Sequence, residues 1–358
     1  MIEELLGHKP YELGKKEKSA LLTSILLGLT KYHKENCVEY ERFLTATGFD
    51  ENIVKGAEDI PFFPVRMFKQ LELMSIDRTE VFKIMTSSGT SGQKVSRIFL
   101  DRETAMLQNK VMLRILSDYW GKKRLPLLLI DCPSVIKNRS KFSARGAAIM
   151  GLLMASNKTV YALHDDMSLN CEAIDAFVLE YGKAPFIVFG FTSLVWQYLY
   201  EASVTAERTW DFSNAWLMTG GGWKKMTEAS VTREDFKIRI GERFGILHFL
   251  DHYGMVEQTG CIYAECEFGH LHASIFSDVF VRRAEDYSLC GYGEKGIIQV
   301  VSTLPHSYPG HSLLTEDEGI ILGEDDCPCG RKGKYIKVLG RLKSAELRGC
   351  SDTYDGNR

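Results

Sequence analysis

The stretch Lys83–Asp101, KIMTSSGTSGQKVSRIFLD, gathers Ser87, Ser88, Thr90, Ser91, the glycines Gly89 and Gly92, and Lys94 between two strand-like runs, Val81–Met85 and Arg97–Leu100. Hydroxyls, glycine-freed amide groups and one cation make a concave surface of donors whose natural guest is an anion, most often phosphate. A Walker-type P-loop needs Gly-x-x-x-x-Gly-Lys-[Ser/Thr]. Here the two glycines stand too close and Lys94 does not follow a glycine, so that spacing is excluded. The plain alternative is a Ser/Gly-rich hairpin turn without a ligand.

Outward from this loop the texture changes twice. Upstream, to about residue 75, Leu21, Leu22, Ile25, Leu26 and Leu29 recur at helical spacing, and Phe43, Leu44 and Phe49 follow in a second amphipathic segment. The prolines of Ile60–Phe68, IPFFPVRMF, then end helix. Downstream, Asp101 reads as the N-cap of a helix running to about Tyr119. Apolar runs follow at Leu125–Asp131, Thr159–Leu163, Pro185–Phe191, Ala215–Thr219 and Ile246–Leu250, separated by helical segments. Such alternation predicts an α/β fold with a mostly parallel sheet covered on both faces. After Gly254 come short strands at His270–Ile275, Val279–Arg282, Gly296–Thr303 and Gly319–Leu322. The expected divisions are a helical segment 1–75, an α/β core 76–254, a small β-rich part 255–340 and a charged, mobile tail 341–358.

The chain of 358 residues is 45% hydrophobic and 25% charged, ordinary for a soluble globular protein, and its net charge of −3 argues against nucleic-acid binding. The longest apolar run, Ala147–Ala155, is too short to span a bilayer, and Met1–Lys15 lacks the order of a signal peptide. Nine cysteines without such a signal point to a reducing cytoplasm, where thiols serve as metal ligands, nucleophiles or core fillers.

The loop Thr86-Ser87-Ser88-Gly89-Thr90-Ser91-Gly92-x-Lys94 resembles the phosphate loop of the adenylate-forming enzymes, which include acyl-CoA synthetases. Further elements follow along the chain as they do in that family. Tyr253-Gly254-x-x-Glu257 resembles the element in which the tyrosine stacks on adenine and the glutamate helps hold Mg²⁺. Upstream of it, Gly220 and Gly221 close an apolar strand where the family's backbone passes close to the adenine. Thr315-Glu316-Asp317 resembles the element whose aspartate accepts the ribose hydroxyls of ATP, although Glu316 replaces a glycine. Gly340-Arg341…Arg348-Gly349 resembles the hinge before the family's small domain.

The chain is expected to stop soon after that hinge, without the full C-terminal small domain or its adenylation lysine, which Lys334, Lys337, Lys343 or another lysine would have to replace. Immediately behind the hinge stands Cys350, in ELRGCSD (Glu346–Asp352). Over Pro61–Tyr354 this combination is similar to the acyl-protein synthetase family (LuxE type), and residues 76–254 would then hold ATP and the acyl group. The resemblance implies activation of a fatty acid as acyl-AMP, transfer to Cys350 as a thioester, and delivery to a partner reductase. In this reading Cys350, Lys94 and Glu257 carry the chemistry, and Lys343, Arg341 and Arg348 lie near enough in sequence to lower the Cys350 thiol pKa. Two other readings stay open: an acyl-CoA ligase using free coenzyme A, and a catalytically silent nucleotide-binding subunit.

A last group is Cys266, His272, Cys327 and Cys329, with His270 or Cys261 as substitutes. Thiolates plus imidazole suit a structural Zn²⁺, and phenylacetate-CoA-ligase-like members of the superfamily carry a similar CPCGR. Packed and surface thiols are the alternative. Phe189–Ser193 reads as core or acyl pocket, and Cys132 as a buried spectator.

Overall fold

Residues 2–87, 94–119 and 253–342 of the computed structural model make up one unit, and 120–136, 144–221 and 231–252 a second; these are the residues that the structure describes. Along the chain, helices α1 (Ile2–Gly7), α2 (Lys15–Asn36) and α3 (Val38–Thr47) precede the short strand β1 (Phe63–Pro64). Strands β2 (Lys83–Thr86) and β3 (Arg97–Leu100) flank the phosphate-like loop and pair antiparallel, and α4 (Arg102–Trp120) follows. Asp101 is its cap: the Thr104 amide donates to Asp101 Oδ1 at 2.7 Å.

The second unit then carries β4 (Leu125–Leu129), α5 (Ala144–Leu153), β5 (Ser156–Tyr161), α6 (Cys171–Tyr181), β6 (Phe186–Phe191), α7 (Thr192–Leu194), α8 (Ala202–Thr205), β7 (Ala215–Gly220), α9 (Arg233–Phe244) and β8 (His248–Tyr253). Between α7 and α8 the helix widens into i→i+5 turns over Val195–Glu201. The strands pair in the order β5-β4-β6-β7-β8, every pair parallel. Strand order reverses between β4 and β6, and ligands of open α/β sheets bind outside the carboxyl ends of strands at such a point. The whole of β6 is buried, as an apolar run covered on both faces requires. Its Phe186 packs in one core cluster with Phe177, Phe212 and Phe244, each contributing about 1.5–3 kcal/mol on burial. Inside this core Asp131 is held by Arg145, whose Nε and Nη2 donate at 2.7 and 2.5 Å. The last strand starts two residues later than the sequence suggests. Gly245, at φ +72°, ends α9 in the left-handed conformation, and the chain needs Ile246 and Leu247 to turn.

Back in the first unit, β9 (Tyr263–Glu265), β10 (Leu271–His272), β11 (Ser277–Arg282), β12 (Lys295–Ser302), β13 (Ser312–Glu324) and β14 (Lys334–Arg341) form an antiparallel sheet in the order β11-β12-β13-β14-β10-β9. The short Gly319–Leu322 run is thus the end of a 13-residue strand. Thr315, Glu316 and Asp317 break its apolar pattern and bulge out of the pairing with β12, whose register jumps there from Leu314 to Glu318, while Asp317 stays paired with β14. Leu22 and Leu26 of α2 pack with Phe280 and Val301 of the sheet. Among the described residues no helix is long and apolar enough to cross a membrane.

The buried face of α2 also carries His33. It stacks on His311 with ring centroids 5.0 Å apart, and neither side chain is exposed. His33 Nε2 donates to the Pro305 carbonyl at 3.1 Å, and Ser75 Oγ lies 2.7 Å from Nδ1. His311 Nε2 meets Thr30 Oγ1 at 2.9 Å. Burial holds both imidazoles neutral, lowering His311 to about 3 and His33 well below its ordinary value. Unfolding returns both to about 6.5, so stability is full above that pH and falls progressively as pH drops towards 3. Urea unfolding at pH 5 should therefore show a loss of about 2 kcal/mol per histidine relative to pH 7.5. His311→Gln should remove about half of that pH dependence; an unchanged slope would contradict a neutral buried pair.

Candidate functional site

The neck of the phosphate-like loop is closed by reciprocal bonds. Thr86 pairs with Arg97 at the end of the β2–β3 ladder. Beyond it the Ser87 amide donates to the Ser96 carbonyl at 3.2 Å, and the Ser96 amide to Ser87 Oγ at 2.9 Å. Thr86 and Ser87 are half-buried and Lys94 is exposed. Ser88, Gly89, Thr90, Ser91, Gly92 and Cys350 lie outside the described residues.

The first unit brings together the other residues expected to meet a nucleotide. Tyr253 Oη donates to Asp317 Oδ2 at 2.8 Å. Asp317 stands opposite Arg341 in the β13–β14 register, and the Arg341 Nε lies 3.7 Å from Asp317 Oδ1. Arg341 thus closes a strand, with Glu316 4.0 Å from its Nη1. Glu316 also reaches Arg66 at 3.3 Å, so the residue that replaces the family's glycine joins two arginines. Burial and the Asp317 charge both push the Tyr253 phenol up, which keeps it a donor.

Glu257 sits in a single helical turn, Val256–Gln258, and is 4% exposed. Burial raises its carboxyl pKa; the Ser96 hydroxyl and the Arg341 charge oppose the shift. A hard carboxylate oxygen sequestered in this way fits Mg²⁺, which takes one or two protein carboxylates and completes its shell with phosphate and water. Gly254, between Tyr253 and this turn, is exposed.

At the other end of β14 the thiol cluster converges. One ligand atom from each of Cys266, His272, Cys327 and Cys329 lies within 4.8 Å of all the others. The Cys266 and Cys327 sulfurs are 3.9 Å apart, and Cys329 Sγ is 3.4 Å from His272 Nε2. Tetrahedral zinc with bonds of about 2.3 Å to sulfur sets ligand separations of roughly 3.8 Å, so the donor set fits that ion. His272 is wholly buried, and burial followed by the Arg331 charge lowers it to about 3, leaving the neutral imidazole a metal requires. Burial raises the Cys327 thiol to about 12, so ion binding there displaces a proton. His270 stands outside the quartet with Nδ1 3.3 Å from Cys327 Sγ, while Cys261 bonds the Phe276 carbonyl elsewhere in the core.

In the second unit Gly220 and Gly221 close β7. A Cβ on Gly220 would lie 2.5 Å from His252 Cε1, and Gly221 adopts φ +72°. His252 Nδ1 is bonded to the Thr219 carbonyl at 2.9 Å, and Thr192 Oγ1 donates to the Gly221 carbonyl at 3.1 Å. Around these carboxyl ends lies a cavity of about 160 Å³, walled by Phe236 and Phe249 and edged by Thr192, Thr219, Arg233 and Asp251. Arg233 and Asp251 pair at 2.9 Å. Phe189 and Phe191 are buried core, and Cys132 packs against Ser134 Oγ at 3.1 Å.

Sequence reasoning passed over Ser96, Arg66 and Tyr308. Ser96 lay in the opening stretch itself, but past the glycines and just ahead of the strand that starts at Arg97. Arg66 and Tyr308 (whose hydroxyl bonds the Glu257 backbone) come from segments that carry no motif.

The family model described as "Acyl-protein synthetase, LuxE" matches residues 1–357. The long-chain-fatty-acid–luciferin-component ligase of Vibrio harveyi is 26% identical over 358 residues, covering 96% of this chain and 89% of that one. Its counterpart in Aliivibrio fischeri is 23% identical over 353 residues, with 96% and 90% covered. Among solved structures, 2-hydroxyisobutyryl-CoA ligase in its postadenylation state superposes with a TM-score of 0.72 at 16% identity, covering 92% of this chain and 69% of that one. That likeness is one of fold, the α/β architecture of the adenylate-forming enzymes.

Gly220→Ala tests the close approach at the β7 end. The added methyl must displace the His252 ring and its bond to Thr219, which should cost about 1–3 kcal/mol in urea unfolding. A neutral substitution would show that the backbone has room there.

Proposed function

The chain belongs to the acyl-protein synthetase (LuxE) family and is a ligase, and we propose that it activates a long-chain fatty acid with ATP and then carries the acyl group on its own Cys350. In the first step a carboxylate oxygen attacks the α-phosphorus, the bond to the β-phosphate breaks, and acyl-AMP and pyrophosphate result. In the second, the Cys350 sulfur attacks the acyl carbon, the C–O bond to AMP breaks, and AMP leaves as the thiol proton passes to solvent. The thioester is then delivered to a partner reductase. The single observation that carries this reading is the meeting of Tyr253, Asp317 and Arg341 in one unit.

In this mechanism Asp317 accepts the ribose hydroxyls and Tyr253 lies against the adenine. Glu257 would hold Mg²⁺, which when bound neutralises phosphate charge. The loop residues Ser87, Ser88, Thr90 and Lys94, with the amides freed at Gly89 and Gly92, bind the departing phosphates, so the rate gain comes from positioning and charge stabilisation. The parts of Gly220, Gly221 and Cys350 rest on the sequence resemblance. The fatty-acid substrate follows from the relatives, which are long-chain-fatty-acid ligases. Free thiols among the described cysteines suit a cytoplasmic setting.

Intact-protein mass spectrometry after incubation with Mg-ATP and fatty acids of graded length tests both steps. The expected product is one acyl group per chain, removed by neutral hydroxylamine and absent from Cys350→Ser. Pyrophosphate release without an adduct, together with coenzyme A-dependent loss of acyl-AMP, would favour an acyl-CoA ligase. No pyrophosphate with any acid would favour the silent nucleotide-binding subunit.

We further propose that Cys266, His272, Cys327 and Cys329 hold a structural Zn²⁺. Elemental analysis should find one zinc per chain. Cys327→Ser should lose it and destabilise the protein by roughly 3–5 kcal/mol, whereas Cys37→Ser should retain it. Zinc-free protein of unchanged stability would overturn the assignment.

A further inference from the structure

We propose that Tyr308 is a positioning residue for Glu257, setting its carboxylate through the backbone from a buried loop. This rests on the reading of Glu257 as the carboxylate that holds Mg²⁺. The turn Val256–Gln258 is three residues long and is held locally only at its ends, where the Gln258 amide donates to the Met255 carbonyl at 3.2 Å and the Thr259 hydroxyl to the Val256 carbonyl at 3.0 Å; neither bond involves the Glu257 carbonyl. A metal-binding carboxylate on such a turn needs support from outside it.

Residues 303–311, between β12 and β13, supply that support. Tyr308, with no exposed surface, donates its hydroxyl to the Glu257 carbonyl at 3.0 Å and receives a bond from Gln108 Nε2 at 3.3 Å. Gln258 Nε2 donates to the Gly310 carbonyl at 2.8 Å and the Val300 carbonyl at 3.1 Å. Gly310 leaves no slack: a Cβ there would fall 2.2 Å from Tyr308 Cε2 and 2.9 Å from the Glu257 carbonyl oxygen. The same loop grips β3, the strand that follows Ser96. Ser307 Oγ donates to the Phe99 carbonyl at 2.9 Å, and the Ser75 amide donates to the Ser307 carbonyl at 2.8 Å. Phe68 meets the Tyr308 ring edge-on at 6.0 Å, fixing its rotation. One loop therefore sets both the turn that bears Glu257 and the strand that brings the Ser96 hydroxyl beside it. Tyr308 touches no group expected to meet substrate, and its action is wholly through Glu257.

The test is a Mn²⁺ titration followed by electron paramagnetic resonance, with a non-hydrolysable ATP analogue bound. It compares the wild-type protein with Tyr308→Phe, Gly310→Ala, Gln108→Met and Glu257→Gln. Tyr308→Phe and Gly310→Ala should each raise the Mn²⁺ midpoint about tenfold. Gln108→Met, which removes only the donor to the phenol, should shift it less and in the same direction. Affinity for the analogue without a divalent cation should stay unchanged in all three. Variants that melt at lower temperature yet keep the wild-type Mn²⁺ midpoint would show Tyr308 to be core alone and overturn the proposal. If Glu257→Gln shifts the midpoint while the other three do not, only this inference fails. If Glu257→Gln leaves the midpoint unchanged, the Mg²⁺ reading of Glu257 fails and this inference falls with it.

Discussion

Antiparallel pairing of β13 with β14 sets Asp317 opposite Arg341 at one end of the strand pair and Glu324 opposite Lys334 at the other. Eight residues of β14 span roughly 25 Å. One end of that span meets the nucleotide-like cluster, and the other runs out of the Cys327–Cys329 turn. A slip of one residue would turn Arg341 to the opposite face of the sheet and away from Asp317. The two register shifts within the pair, between Glu318 and Gly319 and between Ile321 and Gly323, pin the alignment. A metal at the turn would pin it a third time, from outside the strands, which gives a structural ion a bearing on chemistry that it never touches.

A second constraint lies where α2 meets this sheet. Lys18 and Lys334 both reach the buried Asp278 carboxylate, at 3.5 and 2.8 Å. Burial opposes ionisation of Asp278, yet the two ammonium groups hold its carboxyl below the ordinary value. Burial pulls Lys18 down, and its further bond to the Ala273 carbonyl shares the load. Removing one member of such a group leaves uncompensated charge in the interior, which is why buried ion groups fix geometry more than they add stability. Apolar contact from Leu22 and Leu26 would tolerate sliding of the helix, and the lysine does not.

Much of this was legible because the informative signals are local. The parallel strands announce themselves as apolar runs, and β6, with the run FIVFGF, is buried at every residue. The phosphate-like loop, the Tyr253–Glu257 spacing and the CPC turn are each written within ten residues. What escaped notice is written across long separations. Lys18 and His33 lie on the buried face of a helix whose leucines read as its only interior, and their partners Ala273 and Pro305 are 255 and 272 residues away. Tyr308 supports Glu257 from 51 positions downstream, in a loop whose Pro309-Gly310 reads only as a turn. Polar burial of that sort is decided by what the far segment offers, and no periodicity encodes it.

The discontinuity of the first unit has a consequence for how the chain is made. Residues 2–87 belong to a body that is completed only by 253–342. At about 5–20 residues per second, a ribosome takes roughly 13–52 s to carry synthesis from Lys18 to Asp278. Through that interval α2 has no sheet to cover its leucine stripe and no carboxylate for its lysine. The second unit, continuous in sequence from 120 to 252, has all its strands in hand long before. During synthesis, therefore, every strand of the second unit is in hand while the leucine stripe of α2 still lacks the sheet that covers it.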